Sequence, residues 1–430
     1  MRYEKIGQEL FSRNRAKFAS KMAPNSMAIF FSNDILPTNA DGTLAFRQNN
    51  DLFYLTGVDQ EETVLVLYPE APDPNMREML FVRETNEHIA VWEGAKLTKE
   101  QATKETGIKN VHWTKDLDSK LKTAAFAAAG IYLNANEHLR ANTEVETRQD
   151  RLNKEIRALF PNHAFLRSAP LMHRLRAKKE AREIELMREA CKITEKGFRR
   201  LLSFVKPGVK EYEIEAELMH EFLRNRSRGF AYTPIVASGP NACVLHYIEN
   251  KGECKDGDVL LLDVGAEYAN YASDLSRSIP VNGRFTARQK EVYNAVLDVQ
   301  RKSMDLLKPG VFLNDYHKEV GKLMEDKLLQ LGLLDKTDLK NQDPAWPAYK
   351  KYFMHGTSHF IGLDVHDVGL WHEPISAGMV FTVEPGIYIQ EEGLGIRLEN
   401  DILITENGYD DLMKNIPIEA EEIEDLMNGN

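Results

Sequence analysis

The sequence predicts a two-domain α/β (α+β) protein, and three observations carry that prediction. At 430 residues the chain exceeds the roughly 250–300 residues at which a single core stops growing. Its first third alternates short β-rich runs with helical stretches, the pattern of an α/β domain with a mixed sheet. Near Pro170 the texture changes to long amphipathic helices separated by strands that end in acids. Residues 1–170 are therefore expected to form one domain and residues 171–430 a second.

In the first domain, Met27 to Phe31, Leu52 to Leu55, Thr63 to Tyr68, Met79 to Val82 and Ile131 to Leu133 are rich in β-branched, aromatic and large apolar residues and are predicted as strands. Lys99 to Thr106 and Thr143 to Leu159 are predicted as helices. Beyond Pro170, Ile184, Met187, Cys191, Thr194, Phe198 and Leu201 recur alternately three and four apart, so one stripe of a long helix faces a core. That helix stops at Lys206-Pro207-Gly208-Val209, and Ile214, Leu218 and Phe222 mark the next. Thr286 with Gln289 forms a capping box for a helix through Val292, Val296 and Val299, which stops at Lys308-Pro309-Gly310-Val311. The two Lys-Pro-Gly-Val stops lie 102 residues apart (308 − 206 = 102). Each is followed by a helix and then by a strand ending in an acid with Gly two residues on, Asp263-Val264-Gly265 and Glu384-Pro385-Gly386. That order implies an internal duplication whose acids meet at a shared seam. Asp335 to Tyr352, with Pro344, Trp346 and Pro347, reads as an inserted loop near the site entrance.

With 43% hydrophobic and 28% charged residues the composition is that of a globular protein. A net charge of −11 with dispersed Lys and Arg argues against a nucleic-acid or anionic-membrane partner. The start, Met1-Arg2-Tyr3-Glu4-Lys5-Ile6-Gly7, lacks the apolar stretch of a signal peptide, and the small-apolar stretch from Ala124 to Leu133 is too short to cross a bilayer. Cys191, Cys243 and Cys254 are odd in number and show no metal-type pairing, so they are expected as reduced thiols in a cytoplasmic protein.

Four acids and a histidine stand where apolar, strand-like runs meet turns. Asp263 ends Val259-Leu260-Leu261-Leu262, Asp274 follows in Tyr271-Ala272-Ser273-Asp274, His359 lies in His355-Gly356-Thr357-Ser358-His359, Glu384 ends Val380-Phe381-Thr382-Val383, and Glu399 sits in Gly395-Ile396-Arg397-Leu398-Glu399. Together they make a hard ligand set for divalent metal. Asp263 and Asp274 flank Gly265 to Asn270, which reads as a hairpin connection, so the pair can face each other across adjacent strands. Bare, they would repel and one would keep its proton; a cation between them removes the conflict. Thr382 and Glu384 share one strand face and Arg397 and Glu399 another, although the latter two also admit a plain ion pair. Any one of these acids alone reads as solvated or ion-paired, and it is the set of four around His359 that points to metal. Five ligands exceed the needs of one tetrahedral zinc and suit two ions that share bridging carboxylates and a bridging hydroxide, which implies hydrolysis. His246, His355 and His366 are read as groups beside the ions. His355 and His359 have the spacing of a zinc-protease helix, but Gly356 and the missing Glu argue against that motif.

Residues 262–278 (from Leu262-Asp263-Val264-Gly265 to Asp274-Leu275-Ser276-Arg277-Ser278), His355-Gly356-Thr357-Ser358-His359-Phe360-Ile361-Gly362-Leu363-Asp364-Val365-His366-Asp367, Thr382-Val383-Glu384-Pro385-Gly386 and Gly395-Ile396-Arg397-Leu398-Glu399-Asn400-Asp401 resemble the Xaa-Pro aminopeptidase branch of the M24 pita-bread metallopeptidases. Phe46-Arg47-Gln48-Asn49-Asn50-Asp51 and Tyr54-Leu55-Thr56-Gly57 resemble the amino-terminal domain of the same enzymes, so the resemblance spans essentially the whole chain.

The resemblance implies a creatinase-like amino-terminal domain and a pseudo-symmetric pita-bread catalytic domain. It implies a dinuclear site with Asp263 and Glu384 each on one ion's side, Asp274 and Glu399 bridging, and His359 on the second ion. Manganese is the metal expected first, with cobalt, zinc or iron also admitted by the ligand types. His246 and His366 are implied to contact the scissile peptide or the tetrahedral intermediate, and His355 and Arg397 to line the pocket. The reaction expected is release of the first residue from a peptide with proline second, by attack of a metal-bridging hydroxide on the Xaa-Pro carbonyl, with Glu384 shuttling the proton. An Xaa-Pro dipeptidase shares these ligands. The 85 residues from Asp274 to His359 (359 − 274 = 85) look more like the bacterial aminopeptidases. A non-catalytic binding protein on the same fold typically loses the ligands, all of which are present here. Asp51 and Trp92 look like residues that reach a neighbouring subunit's pocket, so a homodimer or homotetramer is expected.

Overall fold

A computed structural model describes residues 3–141 and 144–429. The chain divides into two compact units, one of Lys5–Arg176 and the other running from Ala177 onward and including Tyr3 and Glu4. The amino-terminal unit holds a six-stranded mixed sheet of β1 (Ser26–Phe31), β2 (Val64–Leu67), β3 (Glu78–Val82), β4 (Asn110–Trp113), β5 (Gly130–Leu133) and β6 (Ala164–Arg167), in the order β4-β3-β2-β1-β5-β6. β1 pairs antiparallel with β2 and parallel with β5. Its run of apolar residues is continuous because both faces are covered. Met27, Ile29 and Phe31 pack with Val64, Val66 and Phe81 and with Leu121 of helix Leu117–Ala127, while Phe30 meets Phe18 of helix Gln8–Ala19 edge-on at 5.3 Å.

One predicted strand is a helix. Leu52 to Leu55 lie inside helix Asn50–Thr56, because the Asn49 side chain accepts from the backbone N–H groups of Asp51 and Leu52 and so starts a helix, which Gly57 ends in the left-handed region at φ 70°. All of Leu52, Phe53, Tyr54 and Leu55 are buried, so the run shows no periodicity to separate helix from strand. Helix Arg148–Leu159 begins at a capping box of Thr147 and Asp150; the expected start at Thr143 lies outside the described residues. Helix Lys99–Thr106 has the expected bounds, capped by Thr98 with Gln101.

The second unit repeats one plan twice. Helices Ala181–Phe204 and Glu211–Arg224 precede a sheet of β7 (Ile235–Ser238), β8 (Val259–Val264) and, after the short β9 (Glu267–Tyr268) and β10 (Tyr271–Ala272), β11 (Leu275–Pro280), in the order β11-β8-β7. Helices Ala287–Leu306 and Leu313–Gln330 precede β12 (Val380–Val383), β13 (Gly386–Ile389), β14 (Leu394–Arg397), β15 (Asn400–Thr405) and β16 (Gly408–Asp411), with β12-β15-β16 forming a second three-stranded sheet. The expected box of Thr286 and Gln289 is formed.

The two Lys-Pro-Gly-Val stops are equivalent in detail. Gly208 (φ 92°) donates to Cys254 O at 2.8 Å, and Cys254 N returns a bond to Val209 O at 2.9 Å; Gly310 (φ 91°) donates to Ile375 O at 2.8 Å, and Ile375 N returns a bond to Val311 O at 2.8 Å. Counting from those anchors, Asp263 and Glu384 fall at the same step (263 − 254 = 9; 384 − 375 = 9). The duplicated plan thus delivers one acid from each half. Asp335 to Tyr352 contains a short helix, Lys336–Asn341, and a helical turn, Ala348–Lys351.

β8 and β11 run antiparallel with Val264 opposite Leu275 and Asp263 opposite Ser276. The connection between them folds into the β9–β10 hairpin, whose turn residues Ala269 (φ 54°) and Asn270 (φ 67°) are both left-handed, the turn that matches strand twist. Gly265 at the base of this connection leaves no room for a side chain: a Cβ there would stand 1.8 Å from Ser273 O. Gly265→Ala is therefore expected to cost about 3 kcal/mol through forced backbone displacement, measured by urea unfolding of the purified protein; an unchanged midpoint would remove this account.

Candidate metal centre

The site is built where the two halves meet. Asp263 lies in β8, Asp274 just precedes β11, Glu384 just follows β12, and Glu399 fills the link between β14 and β15. His359 arrives on a segment zipped to β12. Thr382 N donates to His359 O at 3.1 Å, His359 N to Thr382 Oγ1 at 3.2 Å, and Glu384 N to Thr357 O at 2.8 Å. Across the seam, Glu399 N donates to Ser276 O at 3.0 Å. Arg277, fully buried, donates to the carbonyls of Glu399 and Pro417 and to Asn400 Oδ1, and so fixes the backbone on which Glu399 stands.

Asp274, His359 and Glu399 are all buried, with ligand atoms within 4.8 Å of one another. His359 Nε2 stands 3.5 Å from Asp274 Oδ2 and 3.6 Å from Glu384 Oε1. Its Nδ1 lies 3.0 Å from Phe360 O, so Nδ1–H donates to that carbonyl and the Nε2 lone pair faces the acids. The Tyr232 hydroxyl reaches Asp263 Oδ1 at 2.7 Å and also Asp274 Oδ1, and one hydroxyl proton cannot serve both carboxylates.

The electrostatics follow from this crowding. Burial, and then Asp263, push the Asp274 carboxyl well above its ordinary range. Burial, and then Asp274, Glu384 and Asp263, do the same for Glu399. Burial lifts Glu384 to about 7, with Asp274 adding and His359 opposing. Glu399 Oε2 accepts from Ser276 Oγ at 2.7 Å, yet Oε1 is buried with no hydrogen-bond partner. An orphaned carboxylate oxygen, an imidazole lone pair aimed at acids, and acids held at close range are together what divalent cations satisfy. The donor set fits metal.

Arg397 is buried and pairs with Asp263 (Nη2–Oδ2 2.7 Å) and not with Glu399; its Nη1 donates to the hydroxyl of Tyr388 on β13 at 2.7 Å and its Nε to Ser276 Oγ at 2.9 Å. His355 Nε2 meets the same Tyr388 hydroxyl at 2.8 Å, and its Nδ1 stands 3.7 Å from Glu384 Oε2. Burial first, then Arg397, with His246 also contributing, bring the His355 imidazole down to about 3, so it is neutral. His366 packs edge-on against His359 with ring centroids 4.4 Å apart and is exposed. His246 is exposed.

Asp51 and Trp92 lie in the amino-terminal unit. Asp51 pairs with the buried Arg176 at 2.9 Å, and Trp92 stands 76% exposed beside Val91 on helix Glu87–Glu93. Sequence reasoning missed Tyr232, Ser276, Tyr388 and Asp401. Asp401 Oδ2 accepts from Asp274 N at 3.1 Å. Alternation with Asp274 was the available signal for Ser276; nothing local marked Tyr232, which comes from a loop 31 residues ahead of Asp263.

The raised carboxyl of Glu384 has a signed consequence. Its folded value of about 7 lies above an unfolded value near 4.3, so the stability it contributes is present in full below the unfolded value and lost as pH rises through about 7. Bound cations cancel that loss. The gain in unfolding temperature on adding Mn²⁺ to chelator-stripped protein is therefore expected to grow from about pH 5.5 to about pH 8, read by calorimetry; a gain that is absent or shrinks with rising pH would count against the metal reading.

Comparison with known proteins agrees with this geometry. Residues 185–406 match metallopeptidase family M24, and residues 11–132 match the amino-terminal domain of aminopeptidase P. The chain is 36% identical to an Xaa-Pro aminopeptidase of Escherichia coli over 98% of both chains, and 30% identical to human Xaa-Pro aminopeptidase 3 over 97% of this chain and 84% of the relative. Among solved structures, an aminopeptidase of Pseudomonas aeruginosa superposes with a TM-score of 0.90 at 33% identity. A zinc-substituted aminopeptidase P of Escherichia coli in complex with product superposes with a TM-score of 0.88 at 34% identity; both comparisons cover 99% of each chain. No helix among the described residues is long and apolar enough to cross a membrane. The chain belongs to metallopeptidase family M24, in its aminopeptidase P branch.

Proposed function

We propose that this chain is an Xaa-Pro aminopeptidase, which releases the first residue of a peptide whose second residue is proline. The observation that carries the proposal is the convergence of Asp274, His359, Glu384 and Glu399, with Asp263 beside them, at one seam of an M24 chain. We assign Asp263, Asp274, His359, Glu384 and Glu399 as the residues that would hold two divalent ions, with manganese the metal expected first. When bound, two divalent ions supply a water acidified to near neutrality and a Lewis acid for the carbonyl.

The protein's own residues supply the rest. A peptide bond to proline has no N–H and its ring fixes φ near −65°, so recognition must act on the carbonyl, the ring and the free amine. We assign to His366 a hydrogen bond to the carbonyl oxygen as negative charge develops there, a role that its exposed position against His359 supports. Glu384, within 3.6 Å of His359 at the seam, is assigned to pass a proton to the departing proline nitrogen. His246 is assigned a contact with the scissile peptide. Neutral His355 and the Arg397–Asp263 pair hold the pocket wall through Tyr388.

We further assign residues 171–430 as the catalytic domain and residues 1–170 as the amino-terminal domain. Asp51 and Trp92 are proposed to serve a neighbouring subunit's pocket in a homodimer or homotetramer. The exposed Trp92 supports that reading, whereas the Asp51–Arg176 pair accounts for Asp51 without it. Three free, buried cysteines support a reducing, cytoplasmic compartment.

Manganese-reloaded protein is expected to release the first residue from an Xaa-Pro-Xaa tripeptide, as read by chromatography of the products; cleavage of an Xaa-Pro dipeptide alone would make the chain a dipeptidase instead. Glu384→Gln and His366→Ala are each expected to lower kcat by about a hundredfold or more with two ions still bound by elemental analysis. Near-normal turnover in either variant would strip that residue of its role.

A further inference from the structure

The segment that carries His246 alternates in and out. Val244, His246 and Ile248 are exposed, the apolar pair by 52% and 56%, while Leu245 and Tyr247 turn inward, packing against a cluster that includes Ile235, Leu261 and Tyr388. With its outer side open to solvent, the segment is held from beneath.

One carboxylate does much of that holding. Glu211, the first residue of helix Glu211–Arg224, is fully buried. Its Oε1 accepts from Ser238 N at 2.9 Å and Asn241 Nδ2 at 3.0 Å, and its Oε2 accepts from the Tyr247 hydroxyl at 2.8 Å and Gly252 N at 2.6 Å. Its own N–H donates to Gly252 O at 3.0 Å. These partners sit where the chain leaves β7, in the helical turn Gly239–Cys243, beside His246 itself, and where the chain returns. A Cβ at Gly252 would stand 2.8 Å from both Glu211 oxygens, so a side chain there would displace the carboxylate.

All four side-chain bonds come from donors, and only an ionised carboxylate offers acceptor capacity on both of its terminal atoms. A glutamine of the same shape would turn its amino group toward one of the two donor pairs, each of which includes a backbone N–H that cannot accept, so at least one bond is lost and N–H is set against N–H. The requirement at position 211 is thus for the charge-bearing acceptor and not merely for volume, and Glu211 has no atom in the metal cluster.

We propose that Glu211 is a positioning residue for the peptidase reaction: by clamping residues 238–252 at both ends and beside His246, it sets where that imidazole stands against the scissile peptide. The inference rests on the contact assigned to His246 in the preceding subsection.

The test is a double-mutant cycle on the metal-loaded full chain, with kcat and KM measured on an Xaa-Pro-Xaa tripeptide at a temperature where each variant is folded by circular dichroism and holds its ions. Glu211→Gln is expected to lower kcat/KM by about tenfold to a hundredfold, the cost of misplacing a catalytic group by a fraction of an ångström. On a His246→Ala background the same substitution is expected to change it less than about twofold, because the group being positioned is gone. Tyr247→Phe removes one bond to Glu211 while keeping the inward ring, and it provides the same cycle should Glu211→Gln fail to fold. Losses that multiply with that of His246→Ala, or no loss from Glu211→Gln and Tyr247→Phe while His246→Ala is costly, would overturn the positioning role alone. A His246→Ala variant of normal activity would remove the His246 assignment and the positioning role with it.

Discussion

The constraint on which this structure turns is the mutual repulsion of carboxylates held out of water at one seam. Asp263, Asp274, Glu384 and Glu399 come from separate strands and links; of the two guanidiniums beside them, Arg397 pairs with the Asp263 carboxylate, while Arg277 donates to the Glu399 backbone carbonyl. Leaving several buried acids with so little compensation is costly unless they share protons or cations. The surrounding architecture reads as the scaffold that keeps them together despite that cost. Ser276 and Tyr232 donate to carboxylate oxygens, Asp401 holds the Asp274 backbone, and Arg277 ties down the Glu399 carbonyl.

The duplicated plan explains how such an arrangement arises from ordinary local rules. Each half starts with a helix stopped by Lys-Pro-Gly-Val, and the stop residues pair with the segment leading into the strand. Registering the strand on that anchor puts an acid at its end in both halves. Neither half needs a special loop; the site appears when two equivalent strand ends face one another. His359 is the asymmetric addition, brought in by a segment that pairs with β12.

Much of this was legible in the sequence because it is periodic or punctuated. The helix of Ala181–Phe204 shows its buried stripe in Ile184, Met187, Cys191 and Phe198, and the acids and His359 stand at visible changes of pattern. Leu52 to Leu55 misled because a fully buried run carries no period, and the deciding signal was a single capping residue, Asn49. Helix Gln8–Ala19 went unread because it buries Asn14 and Arg15 along with Leu10, Phe11 and Phe18, which blurs its apolar stripe. Tyr232, Tyr388 and Asp401 were invisible as site residues for a different reason: their roles exist only through contacts with residues distant in sequence, and no local pattern encodes such a contact.

The acids of the seam are drawn from both halves of a long stretch, Asp263 and Glu399 being 136 residues apart (399 − 263 = 136). Contacts of that separation are closed late in folding, after local helices and hairpins have formed. The seam bond from Glu399 N to Ser276 O belongs to the same late class. A half-folded chain that owns every helix and every acid of the site therefore still assembles no centre, so the site comes into being only with the docking of one half onto the other.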